Sequence, residues 1–208
     1  MSLEFQPLPA WLNVSRETHE KLGDLLALVL KWSKRINLVS TGSAPDAWAR
    51  HILDSAQLWA VAGAKGGLWL DVGSGGGFPG LVMAVLARDL APDLRVCLVE
   101  SDQRKCVFLR EAARQLGLVV DVRASRIEGL ERLAPMILTA RAVAPLDALL
   151  GYAERQLAEG GLAIFPKGKS YADEVAMAQK NWRFDCQVVE SMTDSNSVVL
   201  KIENIRNA

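Results

Sequence analysis

Long apolar runs are missing from this 208-residue chain. The most tempting one, residues 25–30, is closed off by Asp24 and Lys31 and falls far short of the ~20 residues a membrane-spanning helix needs. A soluble protein with no membrane partner is expected. The N-terminus also lacks a basic region followed by an apolar stretch and a small-residue cleavage site, so the expected location is cytoplasmic. Cysteine is scarce: Cys97, Cys106 and Cys186 are an odd number, widely spaced, with no CxxC pair. That pattern suggests neither a disulfide framework nor a zinc site, so each is expected as a small buried hydrophobe and no metal is expected. Histidine is scarcer still. His19 and His51 lie in no serine or cysteine nucleophile motif, which argues against a catalytic triad. Finally, neither sign of charge is in excess, with 24 basic and 24 acidic residues, so any nucleic-acid partner must be met by local clusters.

What is present is an ordinary globular composition, 50% hydrophobic and 23% charged, enough for one sizeable core with a modest appendage. From 15 to 36, Leu22, Leu25, Leu26, Val29 and Trp32 recur at helical spacing behind the capping residue Ser15. A loop at 37–45 leads to a second helical pattern over 46–62, and Gly63-Ala64-Lys65-Gly66-Gly67 then breaks the chain. The expected division is a helical extension at 1–63 and a main domain at 64–208. Beyond the break, strand candidates at 68–72, 95–100, 119–123, 136–140 and 161–166 alternate with helix candidates at 79–90, 103–116, 127–133, 145–157 and 171–182. Two last strand-like runs, 186–192 and 197–205, are joined too closely to enclose a helix and must pair antiparallel.

The strand ending in Leu70-Asp71 runs into Val72-Gly73-Ser74-Gly75-Gly76-Gly77-Phe78-Pro79-Gly80. Gly75, Gly77 and Gly80 satisfy GxGxxG, with Glu100 twenty residues on to accept ribose hydroxyls, which fits a nicotinamide or flavin enzyme. Read from Asp71, the same loop is DxGxGxG, the pattern of S-adenosylmethionine sites. Five βα units followed by a terminal hairpin favour that second reading: an α/β, seven-stranded class I (Rossmann-like) S-adenosylmethionine-dependent methyltransferase with an N-terminal helical extension. A glycine loop that only turns strand into helix remains the bland alternative. A carboxylate placed at Gly73 is expected to block cofactor binding and leave the fold intact.

Further segments resemble one family, the RsmG (GidB) 16S rRNA guanine-N7 methyltransferases. They are 31–38, Arg50-His51-Ile52-Leu53-Asp54-Ser55, 71–80, Glu100-Ser101 with Arg104-Lys105 and Phe108-Leu109, Arg141-Ala142, and Lys167-Gly168, in order over nearly the whole chain. The 50–55 segment just upstream of the glycine loop is the most specific. One departure is Glu100, where aspartate is frequent. The resemblance implies S-adenosylmethionine as cofactor, S-adenosylhomocysteine as product, and 16S rRNA within a small-subunit particle or precursor as substrate. The cofactor set expected from loop and resemblance together is Asp71, Gly73, Ser74, Gly75, Gly77, Phe78, Glu100, Ile127, Glu128 and Arg141.

Guanine N7 has a lone pair and no proton, so its methylation needs no general base, only positioning and exclusion of water. No catalytic residue in the strict sense is expected; Arg141, His51 and Lys167 are the positioning candidates. For RNA contacts the candidates are Lys34, Arg35, Arg50, Arg104, Lys105 and Lys167, since phosphate affinity comes from Lys and Arg. Six basic residues (Arg104, Lys105, Arg110, Arg114, Arg123, Arg126) stand against Glu111 and Asp121 over 103–126, although a solvated helix face would read alike. Trp32 is a candidate for base stacking, with core packing as the alternative. A monomer is expected. A methyltransferase of the same fold acting on a small molecule or protein, and a non-catalytic RNA-binding module, remain as other readings.

Overall fold

The structure, a computed structural model, describes residues 8–39, 46–63 and 66–208. Part of the loop expected at 37–45, and Ala64 and Lys65 of the expected break, lie outside the described residues. Helix α1 spans Arg16–Ser33, with the Ser15 side chain accepting from the Thr18 N–H, as the sequence predicts for its cap. Next come a π-helical turn, Trp48–Leu53, and α2, Asp54–Ala62. The α/β body follows: β1 Gly67–Val72, α3 Gly80–Leu90, β2 Leu94–Glu100, α4 Gln103–Leu116, β3 Val120–Ala124, β4 Ile137–Ala140, α5 Leu146–Gln156, β5 Leu162–Lys167, α6 Tyr171–Ala178, β6 Trp182–Glu190 and β7 Val198–Asn207. The seven strands form one sheet in the order β3-β2-β1-β4-β5-β7-β6. All neighbours are parallel up to β5, and β7 runs antiparallel to both β5 and β6, which confirms the expected hairpin.

Two hydrophobic cores cover the two faces of the sheet. On one, Leu22, Leu25 and Val29 of α1 and Ile52 and Leu58 pack with Leu81 and Met83 of α3 and Phe108 of α4. Each such fully buried side chain contributes ~1.5–3 kcal/mol. Residues before and after the glycine break thus share one core, and the N-terminal helices serve as a layer of the fold. On the other face α5 and α6 cover Leu70, Val72, Leu138, Ala163 and Phe165. Trp32, half-buried, packs against this core with its ring 5.6 Å from that of Phe108, which favours the core-packing alternative over base stacking.

Three expected helices are different in the structure. The pattern over 127–133 yields only a single 3₁₀ turn, Ile127–Gly129. Its continuation is held in irregular form by Gln156, fully buried on α5, whose amide donates to the Leu130 and Glu131 carbonyls and accepts from the Leu133 N–H. Those bonds satisfy backbone groups that a helix would otherwise have to satisfy. Helix α6, expected to run to 182, ends at Ala178, and Trp182 instead begins β6 and donates its indole N–H to Asp147. The segment expected as one helix over 46–62 opens with the π turn: the Asp54 N–H, which an α-helix would give to the Arg50 carbonyl, goes to Ala49 and His51 instead.

The strand order reverses at β1, between β2 and β4. The crevice at the carboxyl ends of strands beside such a reversal is where open α/β sheets bind ligands.

Candidate active site

The glycine loop leaves the carboxyl end of β1 in that crevice, and its shape is set from beneath by Asp71. The Asp71 carboxylate has no solvent exposure; Oδ2 accepts from the Gly80 N–H at 3.1 Å and Oδ1 from the Thr139 hydroxyl at 2.8 Å. Thr139 is its register partner on β4 and in turn accepts from the Trp69 indole N–H at 3.0 Å. Burial pushes the Asp71 carboxyl from 3.8 up to about 6, against the lowering effect of the Thr139 hydroxyl and the Gly80 N–H. Sequence reasoning placed Asp71 among the cofactor contacts. In the structure this buried carboxylate braces the loop from beneath.

Ser74 is likewise buried, its hydroxyl donating to the Asp71 carbonyl, while the Gly77 N–H donates to the Ser74 carbonyl. Glu100, 7% exposed at the end of β2, accepts from the Gly75 N–H through Oε2 (2.9 Å) and from the Asp102 N–H through Oε1 (2.8 Å). Each oxygen retains a second lone pair. The longer side chain that departs from aspartate therefore reaches under the glycine loop. Gly73 has φ +67°, and an added Cβ would stand 2.4 Å from Val143 Cγ2. The variant with aspartate at Gly73 would thus strain the fold as well as any bound ligand, contrary to the expectation of an intact fold. Val143 reaches this point from the loop after β4, where Ala142 holds φ 55°.

Around the loop's Phe78 the structure gathers three of the residues singled out from sequence. The His51 ring stacks on Phe78 at 5.0 Å and 19°, and the Arg141 guanidinium lies 5.5 Å from the same ring centre. Arg141 donates to the Arg50 carbonyl at 3.0 Å and to Asp54 Oδ2 at 3.1 Å, and its Nη2 lies 3.4 Å from His51 Nδ1. The π turn leaves the Arg50 carbonyl free of its α-helical partner and able to accept this bond. Arg141 has only protons to offer, so Nδ1 accepts and the imidazole proton resides on Nε2. Burial, then the charge of Arg141, lowers the His51 pKa from 6.5 to about 4, with Asp54 opposing. Asp54 also accepts from Gln57 and Thr193 through Oδ1, tying α2 to the link between β6 and β7.

Next to this cluster a cleft of about 610 Å³ opens at the carboxyl ends of β4 and β5, with Ala140, Arg141, Pro145, Pro166, Lys167 and Glu174 on its walls. Lys167 was expected at an RNA phosphate. Its ammonium instead pairs with Glu174 at 2.7 Å and donates to the Ala144 carbonyl, with the side chain 10% exposed, so it is a wall of the cleft. Farther along the crevice, Ile127 is buried, and the exposed Glu128 accepts from the Tyr152 hydroxyl at 2.6 Å. The Ile127 carbonyl accepts from Arg155. Lys34, Arg35, Arg50 and Arg104 are exposed, and Lys105 is half-buried. The basic excess over 103–126 is smaller than it reads, because Arg104 pairs with Asp102, Arg114 with Glu111 and Arg123 with Asp121. Such surface pairs are weak, and phosphates can compete for their cations. Thr139 and Glu174 were not anticipated. Among the described residues no group of His, Cys, Asp and Glu is placed to hold a metal, and no helix is long and apolar enough to cross a membrane.

Two expectations follow from this geometry. Since the His51 pKa in the fold lies below its ordinary value, its contribution to stability is complete above pH 6.5 and is lost as pH falls through that value toward 4. Methyl transfer should show no inflection near 6.5, and an NMR titration should find the His51 ring neutral down to about pH 5. An inflection at 6.5 that follows the His51 ring would refute the packing described. Separately, a Cβ at Gly76 would sit 3.1 Å from the Leu38 carbonyl, so Gly76 is where the chain after α1 approaches the loop. Gly76→Ala should cost about 1–3 kcal/mol, as overpacking does, and raise hydrogen exchange over 34–39.

A parallel sheet reversing beside a glycine-rich turn, closed by an antiparallel strand slotted between β5 and β6, is the fold of the class I methyltransferases. The tRNA (m1A58) methyltransferase TrmI from Aquifex aeolicus shares this fold, with a TM-score of 0.60 over 88% of this chain and 76% of that one at 15% identity. Residues 18–202 match the GidB family, rRNA small subunit methyltransferase G. Relatives named ribosomal RNA small subunit methyltransferase G, from Ruegeria sp. (strain TM1040) and Ruegeria pomeroyi, are each 51% identical over 194 residues, covering 93% of this chain and 94% and 95% of theirs. The chain belongs to the rRNA small subunit methyltransferase G family, and it is a methyltransferase.

Proposed function

We propose that the chain moves the methyl group of S-adenosylmethionine to N7 of a guanine in 16S rRNA, within a small-subunit particle or precursor, acting as a monomer in the cytoplasm. The observation that carries this reading is the Arg141 cluster. It locks the 50–55 segment to the glycine loop at the mouth of the cleft and contains no group set up to remove a proton.

The residues present fit the cofactor. Among the described residues, a Cβ at Gly75 would meet only the Gly73 carbonyl, at 3.7 Å, so the turn is open toward them. Glu100 keeps lone pairs for two ribose hydroxyls, and the buried Ile127 makes the turn after β3 apolar where a base would lie. Gly73, Gly75, Gly77, Phe78, Glu100 and Ile127 would hold it, with Asp71 and Ser74 bracing the loop and Glu128, Tyr152 and Arg155 fixing the 127–129 turn. When bound, S-adenosylmethionine supplies an electrophilic methyl on a sulfonium. The chain's residues then have three tasks. Arg141 and His51 fix Phe78 and the cleft mouth, so that the two reactants meet in line. The apolar walls Ala140, Pro145 and Pro166 keep water from the methyl. His51, neutral and with Nδ1 turned to Arg141, positions and does not abstract.

Near-zero net charge favours a substrate in which ribosomal protein surfaces share recognition with RNA. The test is incubation with methyl-labelled S-adenosylmethionine and undermethylated small subunits, free 16S rRNA or a metabolite extract. Label should enter RNA, faster in the particle. Label confined to a metabolite would overturn the rRNA assignment, and cofactor binding without transfer would favour a binding module.

A further inference from the structure

The cleft beside the Arg141 cluster contains one carboxylate oxygen that the mechanism above leaves unused. Glu174 stands in the first turn of α6 and lines the cleft with its side chain 27% exposed. Its Oε2 accepts from Lys167 Nζ at 2.7 Å and from the Leu146 N–H at 3.0 Å. Among the described residues its Oε1 accepts no hydrogen bond. The other carboxylate of the cleft, Asp54, is engaged at both oxygens by Gln57, Thr193 and Arg141. The cleft is therefore asymmetric. Arg141, on the glycine-loop side, touches Phe78, whereas Glu174 is anchored at the end of β5, one strand farther from β1. Apolar Pro145 and Pro166 also line the cleft, and its volume of about 610 Å³ admits a nucleobase.

We propose that Glu174 reads the Watson–Crick edge of the acceptor purine and so selects guanine, a proposal that rests on the guanine-N7 reading above. Guanine presents N1–H and N2–H side by side, two donors for an acceptor-only carboxylate, while adenine presents the N1 lone pair there and is repelled. That edge lies across the base from N7, which suits a carboxylate at the far side of the cleft from the glycine loop. The reaction strengthens the contact. The N7 lone pair forms the new C–N bond as the C–S bond breaks with its electrons left on sulfur, and the positive charge passes to the purine. N1–H becomes more acidic as that charge grows, so the carboxylate holds the transition state more tightly than the ground state. Lys167 would then be the residue that fixes the carboxylate.

Glu174→Gln is the decisive variant. Lys167 and the Leu146 N–H are both donors, so the amide oxygen must stay with them, and the amide NH₂ takes the place of Oε1 and meets N1–H donor to donor. The variant should melt like the wild type and bind S-adenosylmethionine unchanged, with kcat/KM on undermethylated small subunits reduced roughly 10- to 100-fold. A second measurement needs no variant: GMP and IMP, which carry N1–H, should inhibit wild-type transfer better than AMP, and Glu174→Gln should erase that order. Equal inhibition by GMP and AMP, or an unchanged rate and order in Glu174→Gln, overturns the proposal. A wild-type protein that puts no label into rRNA would instead sink the reading beneath it.

Discussion

Asp71→Ala is expected to abolish S-adenosylmethionine binding and to lower stability markedly. The carboxylate accepts from the Gly80 N–H and the Thr139 hydroxyl in a site without solvent, and the Thr139 oxygen is already occupied by the Trp69 indole. Truncation leaves two buried donors without acceptors, at ~1–3 kcal/mol each. Part of that cost is offset, because a carboxyl raised to about 6 in the fold works against folding once ionised: its contribution is full below 3.8 and is lost as pH rises through 6. The net loss should be about 2–4 kcal/mol, or roughly 5–12 °C in melting temperature for a chain of this size. Asp71→Asn should be intermediate, since one amide oxygen satisfies one of the two donors. Calorimetry of folding and cofactor titration measure both effects. An alanine variant with wild-type cofactor affinity would show that the brace under the loop is dispensable.

Arg141→Ala should reduce kcat/KM for rRNA methylation by about 100-fold or more, the scale expected when a reactant is misplaced by an ångström. Four contacts vanish together: to the Arg50 carbonyl, Asp54, His51 and the Phe78 ring. Arg141→Lys should rescue little, because an ammonium lacks the planar fork that reaches the carbonyl and the carboxylate while facing the ring. The His51 pKa should rise from about 4 in the variant, since Arg141 is the second cause of its depression after burial. Activity loss with an unmoved His51 titration would assign Arg141 a role at the RNA alone.

The sequence carried the order of elements well and their side-chain partners poorly. The alternation of short apolar runs with amphipathic stretches, then two runs with no room for a helix, led to the observed sheet and its antiparallel end. Positions 50–55 and 71–80 pointed to residues that do meet, through Phe78. Thr139 stayed hidden because it is one polar residue in an apolar strand, and its meaning depends on a register, Asp71 beside Thr139, that no local pattern encodes. The 127–133 segment misled because Gln156, distant in sequence, satisfies its backbone. The π turn at Trp48–Leu53 has helical spacing, and only the structure reveals the carbonyl it offers to Arg141. Lys167 read as a free cation because Glu174, seven residues later, pairs with it only once α6 has folded back on β5.

The most direct test of the account is where the methyl group lands. After reaction of undermethylated small subunits with S-adenosylmethionine, 16S rRNA treated with borohydride and aniline breaks at N7-methylguanine, whose alkylated imidazole ring has become labile. One new break is expected, at a guanine, that requires cofactor and wild-type protein and is absent with Asp71→Ala. Labelled RNA without such a break would place the methyl on another atom and contradict the assignment to N7.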